Sequence, residues 1–221
     1  LDGALVYDVR RNIGVKLHEE ARVNADSICP VPDSGTAYAI GYSKTSRIPF
    51  VESLMKNRYM GRTFIMPSQI EREKAVRMKL NPIRDHLTGK SVVLVDDSIV
   101  RGTTSRRIIG IIRDAGAKEV HVRIGSPAIT APCYLGVDIP TRQELIASDK
   151  SEEEVRGRIT ANSLHHISLE ALVESIGIER KHLCTGCLTG CYPVSITGEQ
   201  SQPPAIDFLD GTYQTKLELF E

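Results

Sequence analysis

Hydrophobic residues recur along this chain with two periods, one that suits helices and one that suits buried strands. Leu5, Val9, Ile13 and Leu17 lie four residues apart, so one apolar face runs along residues 4–20. A stripe with this spacing, opposite a polar face, is typical of an amphipathic helix that packs on a core. The first element that the pattern predicts is therefore a helix.

Short apolar runs predict the strands of a sheet, at residues 27–31, 50–55, 92–95 and 119–124. The run at 92–95 is too short and too rich in β-branched residues for a helix, which favours a strand buried on both faces. Helical segments at 36–46 and 105–116 separate these runs, and the second carries Ile108, Ile112 and Ala115 on one face. The alternation predicts an α/β fold in which a mostly parallel central sheet is flanked by helices.

The later part of the chain has a different character. Ser151 precedes three acids, Glu152–Glu154, an arrangement that caps a helix start and complements its dipole. Residues 169–176 predict another short helix, and His165 and His166 are expected in a helical segment with no catalytic role. We therefore expect two parts, which are a domain of residues 1–149 and a helical, cysteine-bearing carboxyl-terminal extension of residues 150–221.

The candidate chemistry lies in VVLVDDSIVRGTTSRR, residues 92–107. The predicted strand ends in Asp96 and Asp97, at the sheet edge where ligands of parallel sheets bind. The two carboxylates can accept hydrogen bonds from ribose hydroxyls or hold a hydrated magnesium ion. The free amides and the hydroxyls of the helix start can surround a phosphate group. The residues expected to do so are Ser98, Gly102, Thr103, Thr104 and Ser105. Together these groups suit a ribose with a 5'-phosphate.

A second loop of the same type follows the strand at 27–31. Asp33, Ser34 and Gly35 form a turn that leads into the helix at 36–46. From the residues alone, this loop is either a second anion site or a plain turn before a helix.

Two basic segments follow the strand at 50–55. Lys56, Arg58 and Arg62 lie within seven residues, next to Tyr59 and without clear periodicity, which predicts a mobile loop. An exposed charged loop without function would have the same pattern. A second basic group has the spacing of an exposed helix face and is at most a set of phosphate contacts: Lys74, Arg77 and Lys79.

The cysteines suggest a metal site rather than disulfides. Cys184, Cys187 and Cys191 cluster near the carboxyl end, whereas Cys133 lies far upstream. In a chain of the cytoplasm, such a cluster favours metal binding, but both zinc and a [4Fe-4S] cluster accept C-x-x-C pairs. Cys29 lies on a predicted buried strand, where it is expected to serve packing.

Composition excludes several classes of function. Lysine plus arginine total 28, as do aspartate plus glutamate, so no basic field favours nonspecific nucleic-acid binding. No long apolar stretch predicts a membrane span and no signal peptide is recognisable, which makes a cytoplasmic setting the expectation. The chain has neither a Walker A loop nor a G-x-G-x-x-G fingerprint, which argues against nucleotide hydrolysis and dinucleotide redox chemistry.

The segment at 92–107 resembles the phosphoribosyl pyrophosphate (PRPP) signature of type I phosphoribosyltransferases, in the form carried by the amidophosphoribosyltransferase family. Four further segments resemble that family in the same order, and together they extend along nearly the whole chain. They are PVPDSGTAYAIGY, KNRYMGRTFIMPSQ, PCYLGVDIPTRQELIA and CTGCLTG. The resemblance implies the type I phosphoribosyltransferase fold with a mobile loop.

The resemblance also implies a reaction, in which PRPP and ammonia give 5-phosphoribosylamine and pyrophosphate, the first step of purine synthesis. In the family, the loop matching Asp33–Gly35 meets the pyrophosphate, and the position of Ser34 helps to hold magnesium. The basic loop closes over PRPP, so Lys56, Arg58 and Tyr59 join the aspartates of 92–107 as candidate catalytic residues. Ammonia needs no strong general base.

The family further implies partners and a second cofactor. One branch binds a [4Fe-4S] cluster through positions that match Cys133, Cys184 and Cys187. The fourth family ligand lies just before the point where this sequence starts, so Cys191 is either a substitute ligand or an incidental thiol. The family also joins a glutaminase domain to the transferase on one polypeptide, and nothing in this chain matches that domain. We expect a homo-oligomer.

Two alternatives share the signature at 92–107. A phosphoribosyltransferase that acts on a purine or pyrimidine base would not be expected to carry the cysteine pattern or the NRYMGRTF segment. A regulator that senses PRPP or nucleotides without turnover predicts loss of the acid pair or of the loop cations, and both are present.

Overall fold

A four-stranded parallel sheet forms the centre of the computed structural model, which describes residues 3–57, 80–137, 141–194 and 196. Elements are numbered in chain order. From one edge to the other, the strands are β1 (Ser27–Pro30), β4 (Ser91–Asp96), β5 (Glu119–Ile124) and β6 (Ser163–His166). β1 pairs with β4, β4 with β5 and β5 with β6, all in parallel. The predicted α/β fold with its parallel sheet is confirmed.

A separate two-stranded ribbon lies beside the sheet. Its strands are β2 (Leu54–Lys56) and β3 (Leu80–Pro82), which pair antiparallel. The predicted strand at 50–55 was placed too early, because Phe50 makes only an isolated bridge to Ile28 and regular pairing starts at Leu54. A local apolar run shows that pairing is possible, but the partner strand decides where it begins.

Helices cover both faces of the sheet. They are α1 (Val6–Glu20), α2 (Thr36–Ser46), α3 (Arg84–Leu87), α4 (Thr103–Asp114), α5 (Glu152–Ile159), α6 (Leu169–Ile176) and α7 (Gly186–Thr189). The predicted helices at 36–46 and 169–176 are confirmed, and Ser151 caps α5 through the predicted reciprocal bonds with Glu154.

The central strand β4 is buried on both faces, as its apolar run predicts. Val92 and Leu94 face the core beneath α4, whereas Val93 and Val95 face the core beneath α1 and α2. Ile108 and Ile112 of α4 and Ala115, which directly follows this helix, belong to the first core, and Cys29 is fully buried there. The packing role that the sequence gives Cys29 is confirmed.

The two histidines of the extension lie in a strand, so the prediction of a helical segment was wrong. In β6, His166 is buried and His165 is half-buried. Glu152 accepts hydrogen bonds from the backbone N–H of His166 and bonds its ring, and Glu20 lies 3.0 Å from His165 Nε2. These polar partners let two histidines occupy a sheet position, which no local hydrophobic pattern announces.

The division at residues 149 and 150 stays a prediction, although β6 shows that the central sheet continues beyond it. The polar and proline-bearing sequence after Thr197 predicts a loosely attached end, and these residues lie outside the described part of the chain. Within the described residues, no helix is both long and apolar enough to cross a lipid bilayer.

Candidate functional site

The site begins where β4 ends at the carboxyl edge of the sheet. Asp96 is the last residue of β4, and the loop that follows it leads directly into α4. Gly102 lies at the helix start with φ 75°, a conformation that residues with a side chain rarely adopt. A Cβ atom built there would lie 2.3 Å from Ile146 Cδ1, the end of a flexible side chain that can shift, so the backbone conformation is the main reason for glycine. The loop therefore returns tightly and presents the first turn of α4 beside the acids.

The two acids form one coupled unit. The backbone N–H of Asp97 donates to Asp96 Oδ1 at 2.9 Å, and Ser98 Oγ donates to Asp97 Oδ2 at 3.3 Å. Burial, together with the neighbouring Asp97, raises the pKa of Asp96 from 3.8 to about 7. A half-buried carboxyl whose pKa is raised toward neutral pH is common at binding sites, where a bound ligand or cation compensates its negative charge.

The loop after β1 reaches the same point. The N–H of Val31 donates to the carbonyl of Val95 at 2.8 Å, which fixes the loop against the end of β4. Ser34 Oγ then donates to Asp96 Oδ1 at 3.1 Å. This contact joins two segments 62 residues apart in sequence. The loop and the acid pair therefore form one site rather than two separate turns.

Gly35 makes that approach possible. A Cβ atom built on Gly35 would lie 2.1 Å from the carbonyl oxygen of Val95 and 2.9 Å from the nitrogen of Val31. Its φ of −75° is ordinary, so the requirement for glycine comes from contact and not from backbone angles. Gly35 thus positions the loop without facing the ligand space itself.

A cavity of about 340 Å³ opens between these segments. It is lined by all eight of the following predicted site residues: Ser34, Asp96, Asp97, Ser98, Gly102, Thr103, Thr104 and Ser105. Sequence reasoning missed Arg101, which also lines it and contributes a cation. Asp33 is exposed beside the cavity, and Lys56 Nζ donates to Asp33 Oδ2 at 2.9 Å. Below, this space is called the acid-pair cavity.

Some predicted residues cannot be placed. Arg58 and Tyr59 lie outside the described residues, as do Lys74, Arg77 and Lys79. Of the basic loop, the structure describes Lys56, at the end of β2.

The oxygen donors of the acid-pair cavity have the chemistry that magnesium prefers. Two carboxylates and the Ser34 hydroxyl meet within one polar space, which leaves room for further oxygens from a ligand or from water. Among the described residues, no group of three or more His, Cys, Asp or Glu side chains is arranged to hold a metal ion. The donors therefore suit an ion that shares its coordination with a bound phosphate compound.

The three cysteines that the resemblance assigns to a cluster lie in one region, but within the described residues they do not form a group arranged to hold a metal ion. Cys133 and Cys187 pack in one small apolar cluster with Ile129 and Leu145. Burial raises the pKa of the Cys187 thiol, and both Cys133 and Cys184 raise it further. The carbonyl of Cys187 accepts bonds from the N–H groups of residues 130 and 131, each at 3.0 Å. The segment after β5 is thus linked to α7 through the backbone carbonyl of Cys187.

Cys191 is not part of the apolar cluster that contains Cys133 and Cys187. Its side chain is exposed, and its backbone N–H donates to Thr189 Oγ1. The role of Cys191 as a substitute ligand stays a prediction.

The chain resembles known proteins over most of its length. It is 57% identical over 206 residues, 93% of this chain, to the amidophosphoribosyltransferase of Methanothermobacter thermautotrophicus. It is 51% identical over 202 residues, 89% of this chain, to that of Bacillus subtilis. The matches cover 44% and 42% of those relatives, so the chain spans less than half of their length. No protein-family model matches it.

Two solved structures agree in fold. One is glutamine PRPP amidotransferase from B. subtilis in complex with ADP and GMP, at 50% identity and a TM-score of 0.82. The other is described as the allosteric regulatory enzyme of purine biosynthesis, at 49% identity and a TM-score of 0.83. They are matched over 90% and 92% of this chain, and over 44% of each of theirs. By sequence and by fold, the chain is similar to amidophosphoribosyltransferases over the part of them that it spans.

Proposed function

We propose that this chain carries the phosphoribosyl transfer of its family, in which PRPP and ammonia give 5-phosphoribosylamine and pyrophosphate. This is the first committed reaction of purine synthesis. The observation that carries the proposal is the bond from Ser34 to Asp96, which brings the loop after β1 and the acid pair into one cavity. The similarity to amidophosphoribosyltransferases selects this reaction among those of ribose phosphates.

The first turn of α4 suits the 5'-phosphate of the substrate. Thr103 and Thr104 have exposed side chains at the helix start, where backbone N–H groups have no partner within the helix. The positive end of the helix dipole adds to the attraction for a dianion. Ser105 is buried and lines the same cavity.

The acid pair suits the ribose. Asp96 and Asp97 can accept hydrogen bonds from the two ring hydroxyls, and their negative charge balances the positive charge that develops on the sugar. The nitrogen of ammonia attacks C1 while the bond from C1 to the pyrophosphate oxygen breaks, and its electron pair leaves with pyrophosphate. The product ammonium then loses a proton to solvent, and none of these steps needs a catalytic histidine.

The leaving pyrophosphate is assigned to the loop of Asp33, Ser34 and Gly35. Lys56 reaches this loop, because its ammonium group lies 2.9 Å from Asp33. The proposal also assigns Arg58 and Tyr59 to the binding of the leaving pyrophosphate. Ser34, Asp96 and Asp97 would hold magnesium, which neutralises charge on the diphosphate when bound.

Membership of the iron–sulfur branch is part of the proposal. Cys133, Cys184 and Cys187 would supply three ligands, which is supported by the effect of the other two thiols on Cys187. Iron and acid-labile sulfide in protein purified without oxygen test this assignment. Zinc in their place would favour the other metal that accepts C-x-x-C pairs.

The wider setting follows the relatives. We propose a cytoplasmic homo-oligomer in which a glutaminase domain supplies the ammonia. In the full-length protein, nucleotides are candidate inhibitors, because the B. subtilis relative was solved with ADP and GMP.

The decisive experiment measures pyrophosphate release by the chain with PRPP and magnesium. We expect release that depends on ammonium salts at a pH where free ammonia is present, and no release with adenine, guanine or orotate. Release with a base but not with ammonia would instead support the base transferase. PRPP binding without release under any of these conditions would support the sensor.

A further inference from the structure

A second cavity lies on the other side of the loop that closes the acid-pair cavity. Its volume is about 410 Å³, and we call it the basic cavity. Its lining comes from the loop after β4, from α4, from the segment at 143–146 and from the region of α5. The charged residues that line it are Arg101, Arg106, Glu144, Lys150 and Arg158.

Four of these five charges are positive, and the acid is already engaged. Glu144 Oε2 lies 2.6 Å from Nε of Arg101, so this carboxylate neutralises a cation that it also holds in place. Lys150 pairs with Asp149 at the rim. Within the described parts of the chain, the exposed side chains of Arg106 and Arg158 make no hydrogen bond and no ion pair, although Arg158 interacts electrostatically with Asp149 and Glu154. Two guanidinium groups therefore face one concave space with their donors available.

Guanidinium groups from separate elements are an arrangement that recognises phosphate. The planar fork of arginine donates two parallel hydrogen bonds to one phosphate and keeps its charge at all working pH values. Arg106 projects from α4 and Arg158 from α5, so the cavity offers its charge from two sides. Its volume exceeds that of an inorganic phosphate, so a small organic group can accompany the anion.

The basic cavity shares a wall with the acid-pair cavity. Arg101, Gly102 and Thr103 line both spaces. The N–H of Ile146 donates to the carbonyl of Val100 at 2.9 Å, and the Ile146 side chain fills the space beside Gly102. An anion in the basic cavity therefore touches the loop that presents α4 to the first cavity.

We propose that the basic cavity binds a small phosphate-bearing molecule at a site separate from the acid-pair cavity. Arg106 and Arg158 supply the charge that holds the phosphate, and Arg101 links the two sites. Binding here does not depend on the proposed reaction, because Arg106 and Arg158 do not line the acid-pair cavity.

Calorimetric titration of the full chain tests this proposal with three probes, which are inorganic phosphate, ribose 5-phosphate and pyrophosphate. We expect two classes of site in the unmodified chain. In the double variant Arg106→Gln with Arg158→Gln, one class should weaken at least about tenfold, because charge-assisted bonds are lost. Arg180→Gln is the matched control, since it removes one exposed arginine that lines neither cavity. It should leave both classes unchanged.

The probes also identify the ligand type. Tighter binding of ribose 5-phosphate at the charge-dependent site indicates a phosphate monoester, and tighter binding of pyrophosphate indicates a diphosphate. Equal binding of all probes by the double variant and by the unmodified chain would overturn the proposal. The proposal would also be overturned if the double variant had a higher KM for PRPP in phosphate-free buffer, raised by the same factor as its probe binding is weakened. In that case the arginines would belong to the substrate site.

Discussion

Replacing Gly35 by alanine tests whether the two loops must touch for the site to work. The new Cβ atom would lie 2.1 Å from the carbonyl oxygen of Val95, whereas ordinary contact begins at 3.4 Å. The neighbouring atoms belong to the backbone of Val95 and Val31 and not to a flexible side chain. The loop after β1 must therefore retreat by about 1 Å. That movement lengthens the bond from Val31 to Val95, at present 2.8 Å, and draws Ser34 away from Asp96.

Two effects set the expected changes, one in the free energy of unfolding and one in turnover. Overpacking against backbone typically costs about 1–3 kcal/mol, so the free energy of unfolding should fall by that amount. A displacement of about 1 Å in a binding group typically costs about 100-fold in turnover, so kcat/KM for PRPP should fall on that scale. Chemical denaturation and ammonia-dependent pyrophosphate release measure the two quantities on the same preparation.

Gly110→Ala is the matched control for this change. Gly110 lies within α4, and no heavy atom lies within 4 Å of a Cβ built there. Alanine should stabilise the helix by about 0.5–1 kcal/mol and leave turnover unchanged. If Gly35→Ala behaves like Gly110→Ala in both assays, close contact between the loops does not determine the site.

Three further changes probe the charges. Asp96→Asn with Asp97→Asn should abolish ammonia-dependent turnover and leave the circular dichroism spectrum unchanged; near-normal turnover would contradict the assigned roles. The raised pKa of Asp96 means that the folded chain keeps a proton that the unfolded chain has lost between pH 3.8 and about 7, so this group weakens stability as pH rises through that window. Asp96→Asn alone should therefore match the unmodified chain at pH 4 and exceed it in unfolding free energy at pH 8 without ligands; a constant difference would refute this. Burial raises the pKa of Glu152, but hydrogen bonds with His165 and His166 more than offset this effect, so the pKa of Glu152 is lowered. The Glu152 carboxylate in turn raises the pKa of His165. The ion pair between Glu152 and His165 therefore stabilises the fold above the unfolded pKa of the glutamate, and this contribution is lost as pH rises through the folded pKa of His165. Glu152→Gln should accordingly lower the free energy of unfolding by about 1 kcal/mol near pH 6 and by less at pH 9. Equal losses at both pH values would exclude this ion pair.

The parts of the fold that sequence predicts are those in which the signal is local. The acid pair, the glycine and the threonines of 92–107 are contiguous, so a strand, a turn and a helix bring them together without help from distant residues. The geometry of β4 and α4 therefore follows from periodicity and turn chemistry. The contact of Ser34 with Asp96 does not, because 62 residues separate them and the order of strands in the sheet decides their distance.

The missed features depend on tertiary partners. β6 contains two histidines, of which His165 Nε2 pairs with Glu20 and His166 Nδ1 with Glu152, and neither glutamate is adjacent in sequence. Nor does a pattern reveal the basic cavity, since Arg101, Arg106 and Arg158 come from three segments that each read as an exposed surface. Polar groups that gain their function from distant neighbours leave no periodic signal.

The acid-pair cavity is built at a cost to stability, and this explains its form. Asp96 is held where burial and a neighbouring carboxylate both oppose its charge, yet Ser34 and the N–H of Asp97 donate to it. These two bonds offset only part of the penalty, since the pKa remains raised. A cation or a ring of ribose hydroxyls would supply the missing compensation, so ligand binding and ionisation of Asp96 should favour each other. The affinity for magnesium and PRPP should then increase as pH rises through about 7, and an affinity that is flat across this range would show that the acid does not contact the ligand.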